Sequence, residues 1–280
     1  MKKTEWDAHF FTQSPIFEPF LPLSAFISVF NTWPTFQDLN ALKQQVSVDI
    51  VTFSGMPVRF VPQVCENNNS ANDDSSVLPY ERSIHLTGAV PTRPENWHDF
   101  FNALVWLIFP HAKAALNQIH VQSLDQAAQR KNAVRGPLRD AATLFDESGV
   151  IVLSSQSEWI TLLRQHAWKT VFWQHRASVL TSMRFILFGH ALYEKALNPY
   201  AGMTGKGGFF KVEEAFLQKP LTEQLHAVDR WLAGFLLHQL SSNADLSPIP
   251  VLGYPGWTEA NACGDYYDDQ QYFRPLVRRK

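Results

Sequence analysis

Residues 96–109 read Asn96-Trp97-His98-Asp99-Phe100-Phe101-Asn102-Ala103-Leu104-Val105-Trp106-Leu107-Ile108-Phe109. Asn96 is a residue type that caps helix N-termini, and Asp99, three positions on, favours the positive helix end. The run behind them is apolar and stops at Pro110. The pattern predicts a buried helix from about Asn96 to Phe109, followed by a second from His111 to about Lys131. A chain that spends its most apolar stretch on a helix is built mainly from helices.

Further along, Gly136-Pro137 restarts the chain and Gly149-Val150-Ile151-Val152-Leu153 reads as a buried strand, because β-branched residues pack well on a pleated surface. Ser157 opens a helix containing Trp159, Leu162 and Leu163. A long helix is expected from Ala177 to Leu197, stopped by Asn198-Pro199. The glycines at 202, 205, 207 and 208 predict a flexible loop, residues 221–240 another helix, and residues 247–280 an irregular segment. Towards the N-terminus, Pro15, Pro19 and Pro22 among Phe and Leu predict a surface wrap over residues 1–34 with short helical turns. Thr35 caps a helix through Gln45. Pro57 to Val64 and Tyr80 to Thr87 read as strands, separated by a polar loop at 66–76. The expected fold is mainly α with a small β component (α+β), a single compact domain with strands near 57–63, 80–87 and 149–154.

Composition removes several function classes. The chain has 24 basic and 26 acidic residues among 280, so it lacks the basic excess of a nucleic-acid binder. Its longest apolar runs, Phe20–Phe30 and Phe100–Phe109, fall well short of the roughly 20 residues of a membrane span. Met1-Lys2-Lys3 is not followed by the apolar stretch of a signal peptide. Cys65 and Cys263 stand alone, outside any CxxC pair, which argues for free thiols and against a thiolate zinc site. The expected location is therefore the cytoplasm. The 21 Phe, 9 Trp and 7 Tyr suit a thick core or a pocket lining.

Two clusters carry candidate chemistry. His98 and Asn102 lie one helical turn apart beside a very apolar run, where buried polar groups need partners. His190 and Glu194 are also one turn apart, and a carboxylate so placed can orient an imidazole, raise its pKa or join it on a metal. Gly189 before His190 allows another backbone, or a ligand, to come close. The bland readings are an Asn96/Asp99 helix cap and a satisfied His–Glu pair between packed helices. Asp265-Tyr266-Tyr267-Asp268-Asp269 offers paired carboxylates, more often a turn or cap. Three patterns are set aside. Gly202 to Gly208 lacks the spacing and preceding strand of a phosphate loop. Leu144 to Ile151 only faintly echoes a phosphatase nucleophile motif and is explained by a tight turn into a strand. The chain has no Gly-x-Ser-x-Gly elbow.

Thr87-Gly88-Ala89-Val90-Pro91-Thr92-Arg93 followed by Asn96 to Trp106 resembles the bacterial family of domain of unknown function 3025. So do Arg139-Asp140 with Leu144-Phe145-Asp146-Glu147, Phe188-Gly189-His190-Ala191-Leu192, and Pro250-Val251-Leu252-Gly253 with Pro255-Gly256-Trp257. The resemblance implies a bacterial source. It implies no activity and carries over no catalytic residue.

From the residues, the expected function is an enzyme or ligand-binding protein for a small polar molecule. His98 or His190 would be the acid/base group or a ligand of a divalent metal, Glu194 or Asp99 the orienter or third ligand, and Asn102 an amide contact. The metal set on this reading is His98, His190 and Glu194. The alternative is a non-catalytic structural or partner-binding protein whose polar clusters are buried networks that fix packing. Convergence of His98, His190 and Glu194 at a pocket favours the first.

Overall fold

The computed structural model describes residues 5–46, 48–63, 80–129 and 136–276. The polar loop expected at 66–76 and Cys65 lie outside them; Cys263 is exposed and free. The N-terminal prolines hold the chain in 3-10 turns over Pro15–Leu23, ending in a single turn α1 (Ser24–Ile27). Thr35 and Asp38 cap α2 (Phe36–Lys43) reciprocally: Thr35 Oγ1 accepts from the Asp38 amide and the Asp38 carboxylate from the Thr35 amide. Then come β1 (Arg59–Pro62), α3 (Tyr80–Thr87) and β2 (Ala89–Thr92), with β1 and β2 paired in parallel.

Residues 80–87, expected as a strand, are therefore helical. A strand would place Ile84 and Leu86 on one face, but Ile84 is buried while Leu86 is 51% exposed. Gly88 ends the helix in the left-handed conformation at φ +70°, its amide donating to Ile84 O.

Two helices broken at Pro110 follow, α4 (Trp97–Ile108) and α5 (Pro110–Gln129). Asn96 Oδ1 accepts from the Asp99 amide at 3.0 Å, so the helix cap read in the sequence is real. At the start of α5 the Asp229 carboxylate accepts from the His111 and Ala112 amides. Next are α6 (Pro137–Ser148), β3 (Gly149–Ser154) and α7 (Ser157–Arg164). Every residue of β3 is buried, as a continuous apolar run requires of a strand covered on both faces.

The long helix expected over 177–197 is instead α8 (Arg176–Ser182), β4 (Met183–Leu187) and α9 (His190–Ala196). The 183–187 stretch becomes a strand because it pairs antiparallel with β3, Val150 opposite Leu187, a tertiary demand that local periodicity does not show. The glycine-rich loop is β5 (Thr204–Lys211), parallel to β3. Its glycines make room for neighbours: a Cβ on Gly205 would lie 2.4 Å from Val150 Cγ2, and one on Gly207 2.7 Å from Ile249 Cγ1. Then come α10 (Glu214–Leu217), α11 (Leu221–His238) and β6 (Ser247–Pro250). β6 lies within the segment expected to be irregular and completes the sheet order β4-β3-β5-β6. Further along, the described part of that segment holds three short 3-10 turns, Val251–Gly253, Glu259–Ala262 and Gly264–Asp268.

The protein is thus mainly helical with two small sheets, an α+β domain around one continuous core. One part of that core bears directly on the site. Phe10, Phe17, Phe20, Trp97, Phe101 and Tyr193 form an aromatic wedge between the N-terminal wrap, α4 and α9. Phe101 stacks on Tyr193 at 5.7 Å, and the Tyr193 hydroxyl donates to Leu187 O. The ring stacking fixes α4 against α9, which sets His98 against His190 and Glu194.

Candidate metal centre and its cavity

The α4 residues that do not join the wedge, His98 and Asn102, face a cavity of about 450 Å³. α5 contributes Lys113, Asn117 and His120, α6 contributes Arg139, Thr143, Asp146 and Glu147, and His190 stands at the start of α9. Tyr80 and Glu81 of α3 line the same space.

The two imidazoles meet edge to face, with His98 Nε2 and His190 Nε2 3.0 Å apart. Glu147 Oε1 lies 3.7 Å from His190 Nε2. One donor atom from each of His98, Glu147 and His190 falls within 4.8 Å of the others. Two ligand atoms at about 2.1 Å from one ion, subtending 90–110°, sit roughly 3.0–3.4 Å apart. The histidine pair already has that spacing; Glu147 stands 3.7 Å from His190 Nε2 and within 4.8 Å of the His98 donor, so its side chain must move inwards to join them on one ion.

Glu194 takes the other side of His98: its Oε2 is 3.1 Å from Nδ1. It therefore orients His98 and turns Nε2 towards His190, and the carboxylate beside the facing nitrogens is Glu147. Asp99 does not reach the imidazoles. Its carboxylate receives the Arg93 amide and guanidinium at 2.7–2.9 Å, closing the loop before α4. Asn102 lines the cavity, and its buried Oδ1 has no hydrogen-bond partner among the described residues. The carboxylates of Asp265 to Asp269 lie away from this cavity, with Asp268 held by Lys169.

The electrostatics separate the two histidines. Its hydrogen bond to Glu194 lifts the His98 imidazole above its ordinary pKa against the cost of burial, with Glu147 adding to the rise. Burial pushes His190 down to about 4, despite the nearby Asp146. His190 Nδ1 is buried without a hydrogen-bond partner, 3.9 Å from Asp146 Oδ2. Burial also raises the Asp146 carboxyl, but the Lys113 ammonium at 2.6 Å and His190 outweigh it and hold it below its ordinary value. Glu147 is raised by burial and by Asp146. Glu194 is lowered by the His98 hydrogen bond.

Sequence reasoning missed Glu147, Asp146, Lys113 and Arg139. Asp146 and Glu147 were read as part of a turn. Read as a helix, residues 137–148 would have placed Arg139, Thr143, Asp146 and Glu147 on one face at helical spacing.

Fold and site together define a mainly helical α+β domain with paired imidazoles and carboxylates in a polar cavity. Residues 58–277 match the family model described as "Protein of unknown function (DUF3025)", and the chain belongs to that family. No curated protein and no solved structure matches the chain. No helix among the described residues is long and apolar enough to cross a membrane.

Proposed function

We propose that the protein is an enzyme that binds a divalent transition metal through His98 Nε2, His190 Nε2 and the Glu147 carboxylate, and uses it on a small polar substrate. The observation that carries this reading is the 3.0 Å approach of two Nε2 atoms with a carboxylate beside them. Two imidazole lone pairs that close repel unless a cation or a proton lies between them. The surroundings support the cation. Glu194 on His98 Nδ1 is the outer carboxylate that typically fixes the tautomer and orientation of a ligating histidine. Two histidines and one carboxylate leave coordination positions open towards the cavity. A metal there would polarise a substrate oxygen and supply hydroxide at neutral pH, so hydrolysis is the reaction class that fits. The Lys113–Asp146 pair beside His190 would hold charge and move protons next to the ion.

A metal-free reading is favoured by one observation, the opposed shifts of the two histidines. A protonated His98 could donate from Nε2 to a neutral His190, making the cluster a buried network without an ion. Metal content separates the two. Purified protein should take up one equivalent of zinc or cobalt(II), and His190→Ala and Glu147→Ala should lose it while staying folded. Wild type that binds neither ion, with variants that lose only stability, would establish the network instead.

A further inference from the structure

The metal reading leaves the far end of the cavity without a task, and the charges there are uneven. The Arg93 guanidinium is taken up by Asp99, and the Lys113 ammonium by Asp146. Arg139 also lines the cavity, yet its buried Nε has no hydrogen-bond partner and it forms no ion pair among the described residues. Its charge reaches the Glu81 carboxyl, where it is the last of the influences on that group, after burial, the Asn117 hydrogen bond and the Asp146 and Lys113 charges. A buried N–H of a guanidinium is costly unless an acceptor meets it, and the planar fork of the group matches a carboxylate.

Two further atoms point the same way. Asn117 is 2% exposed, with its Nδ2 donating to Glu81 O and Oε2 while its Oδ1 has no partner. Asn102 Oδ1 is likewise unpartnered. Besides His190 Nδ1, the cavity lining therefore holds one donor and two acceptors without a partner among the described residues.

Spacing sets the length of what would satisfy them. Arg139 and Glu147 lie on the same face of α6, separated by eight residues, or roughly 12 Å at 1.5 Å per residue. We infer that the substrate is an elongated small molecule with a carboxylate at the end remote from the reacting atom, that Arg139 binds this carboxylate, and that Asn102 and Asn117 accept hydrogen bonds from N–H or O–H groups along its length. A carboxylate suits the place better than a doubly charged phosphate, because Glu81, Asp99 and Asp146 already crowd the cavity with negative charge. This inference rests on the metal centre proposed above for its direction, since the ion marks the reacting end.

Two hydroxamates of matched length test it. Suberic acid monohydroxamate carries a metal-binding group at one end and a carboxylate at the other; octanohydroxamate has the same chain with a methyl end. On the zinc-loaded protein the carboxylated probe should bind about 10- to 100-fold more tightly, the range for charge-assisted hydrogen bonds. Arg139→Gln should erase that advantage while leaving zinc content and octanohydroxamate binding unchanged. Equal affinity of the two probes for wild type overturns the inference without any variant. If wild type holds no metal, suberate binding to the metal-free protein, read by tryptophan fluorescence, decides the carboxylate subsite alone. Binding that Arg139→Gln removes supports it, and no binding sinks it.

Discussion

Replacing Glu194 by Ala should weaken metal binding without removing the metal. Glu194 touches no open coordination position; it accepts from His98 Nδ1 at 3.1 Å and so holds Nε2 towards His190 and Glu147. Removing such an outer carboxylate typically costs 10- to 100-fold in metal affinity, or about 1.4–2.7 kcal/mol. The Glu194 side chain is 31% exposed, so water can replace part of the lost hydrogen bond, and the expected loss is near 10-fold. Glu194→Gln keeps an acceptor for His98 Nδ1 and should lose less. Glu147→Ala removes a ligand and should lose much more. Zinc competition against a chelator of known affinity, or calorimetric titration with cobalt(II), measures all three. An unchanged affinity in Glu194→Ala would refute the orienting role. The reverse order, with Glu194→Ala losing the ion and Glu147→Ala keeping it, would move Glu194 to the metal and refute the assignment of Glu147.

Three other outcomes follow from the same geometry. With a folded pKa near 4 against 6.5 unfolded, His190 binds fewer protons folded than unfolded; metal-free wild type should therefore lose about 3 kcal/mol more stability than His190→Gln on acidification from pH 6.5 to 4, and equal denaturant midpoints across that window would contradict it. His98, raised rather than lowered, contributes its slope above pH 6.5, outside this window. Phe101→Ala should cost about 3–5 kcal/mol in urea unfolding, because the ring is fully buried between Phe17, Trp97 and Tyr193; a loss under 1 kcal/mol would show the wedge is loosely packed. Gly189→Ala should destabilise by about 1–3 kcal/mol and reduce metal uptake together, since its Cβ would lie 2.4 Å from Ser148 N and 2.5 Å from Glu147 O; stability and uptake equal to wild type would disprove the tight crossing.

Elements whose cause is local are legible in the sequence, and those caused by partners are not. Asn96, Thr35 and the apolar run to Pro110 specify α4 and α2 through caps and periodicity within a few residues. β4 and β5 owe their state to β3, whose demand for two neighbours is invisible in Met183–Leu187 or in a glycine-rich string. α3 was hidden because the apolar positions of an eight-residue stretch fit either period. The candidate site divides in the same way. His98, Asn102, His190 and Glu194 stand out because they fall in pairs one helical turn apart beside apolar runs. Glu147, Asp146 and Arg139 sit in an amphipathic helix with ordinary polar residues around them. Only the packing of α6 against α9 and α5 shows which of its carboxylates meet a histidine.

The crossing at Gly189 ties two of the proposed metal ligands, Glu147 and His190, to the sheet itself. The amides of Phe188 and Gly189 both donate to Gly149 O at 3.0 Å, two residues after Glu147 and immediately before His190. Those bonds extend the β3–β4 ladder, so the backbone segments that carry the carboxylate and the imidazole cannot part while that ladder is closed. Amide exchange at positions 188 and 189 should then proceed only through the slowest, near-global opening of the molecule, and a bound ion should slow it further in proportion to its affinity. Where many binding sites occupy the loosest part of a protein, this one would hang two of its ligands from the backbone of the sheet's most protected strands.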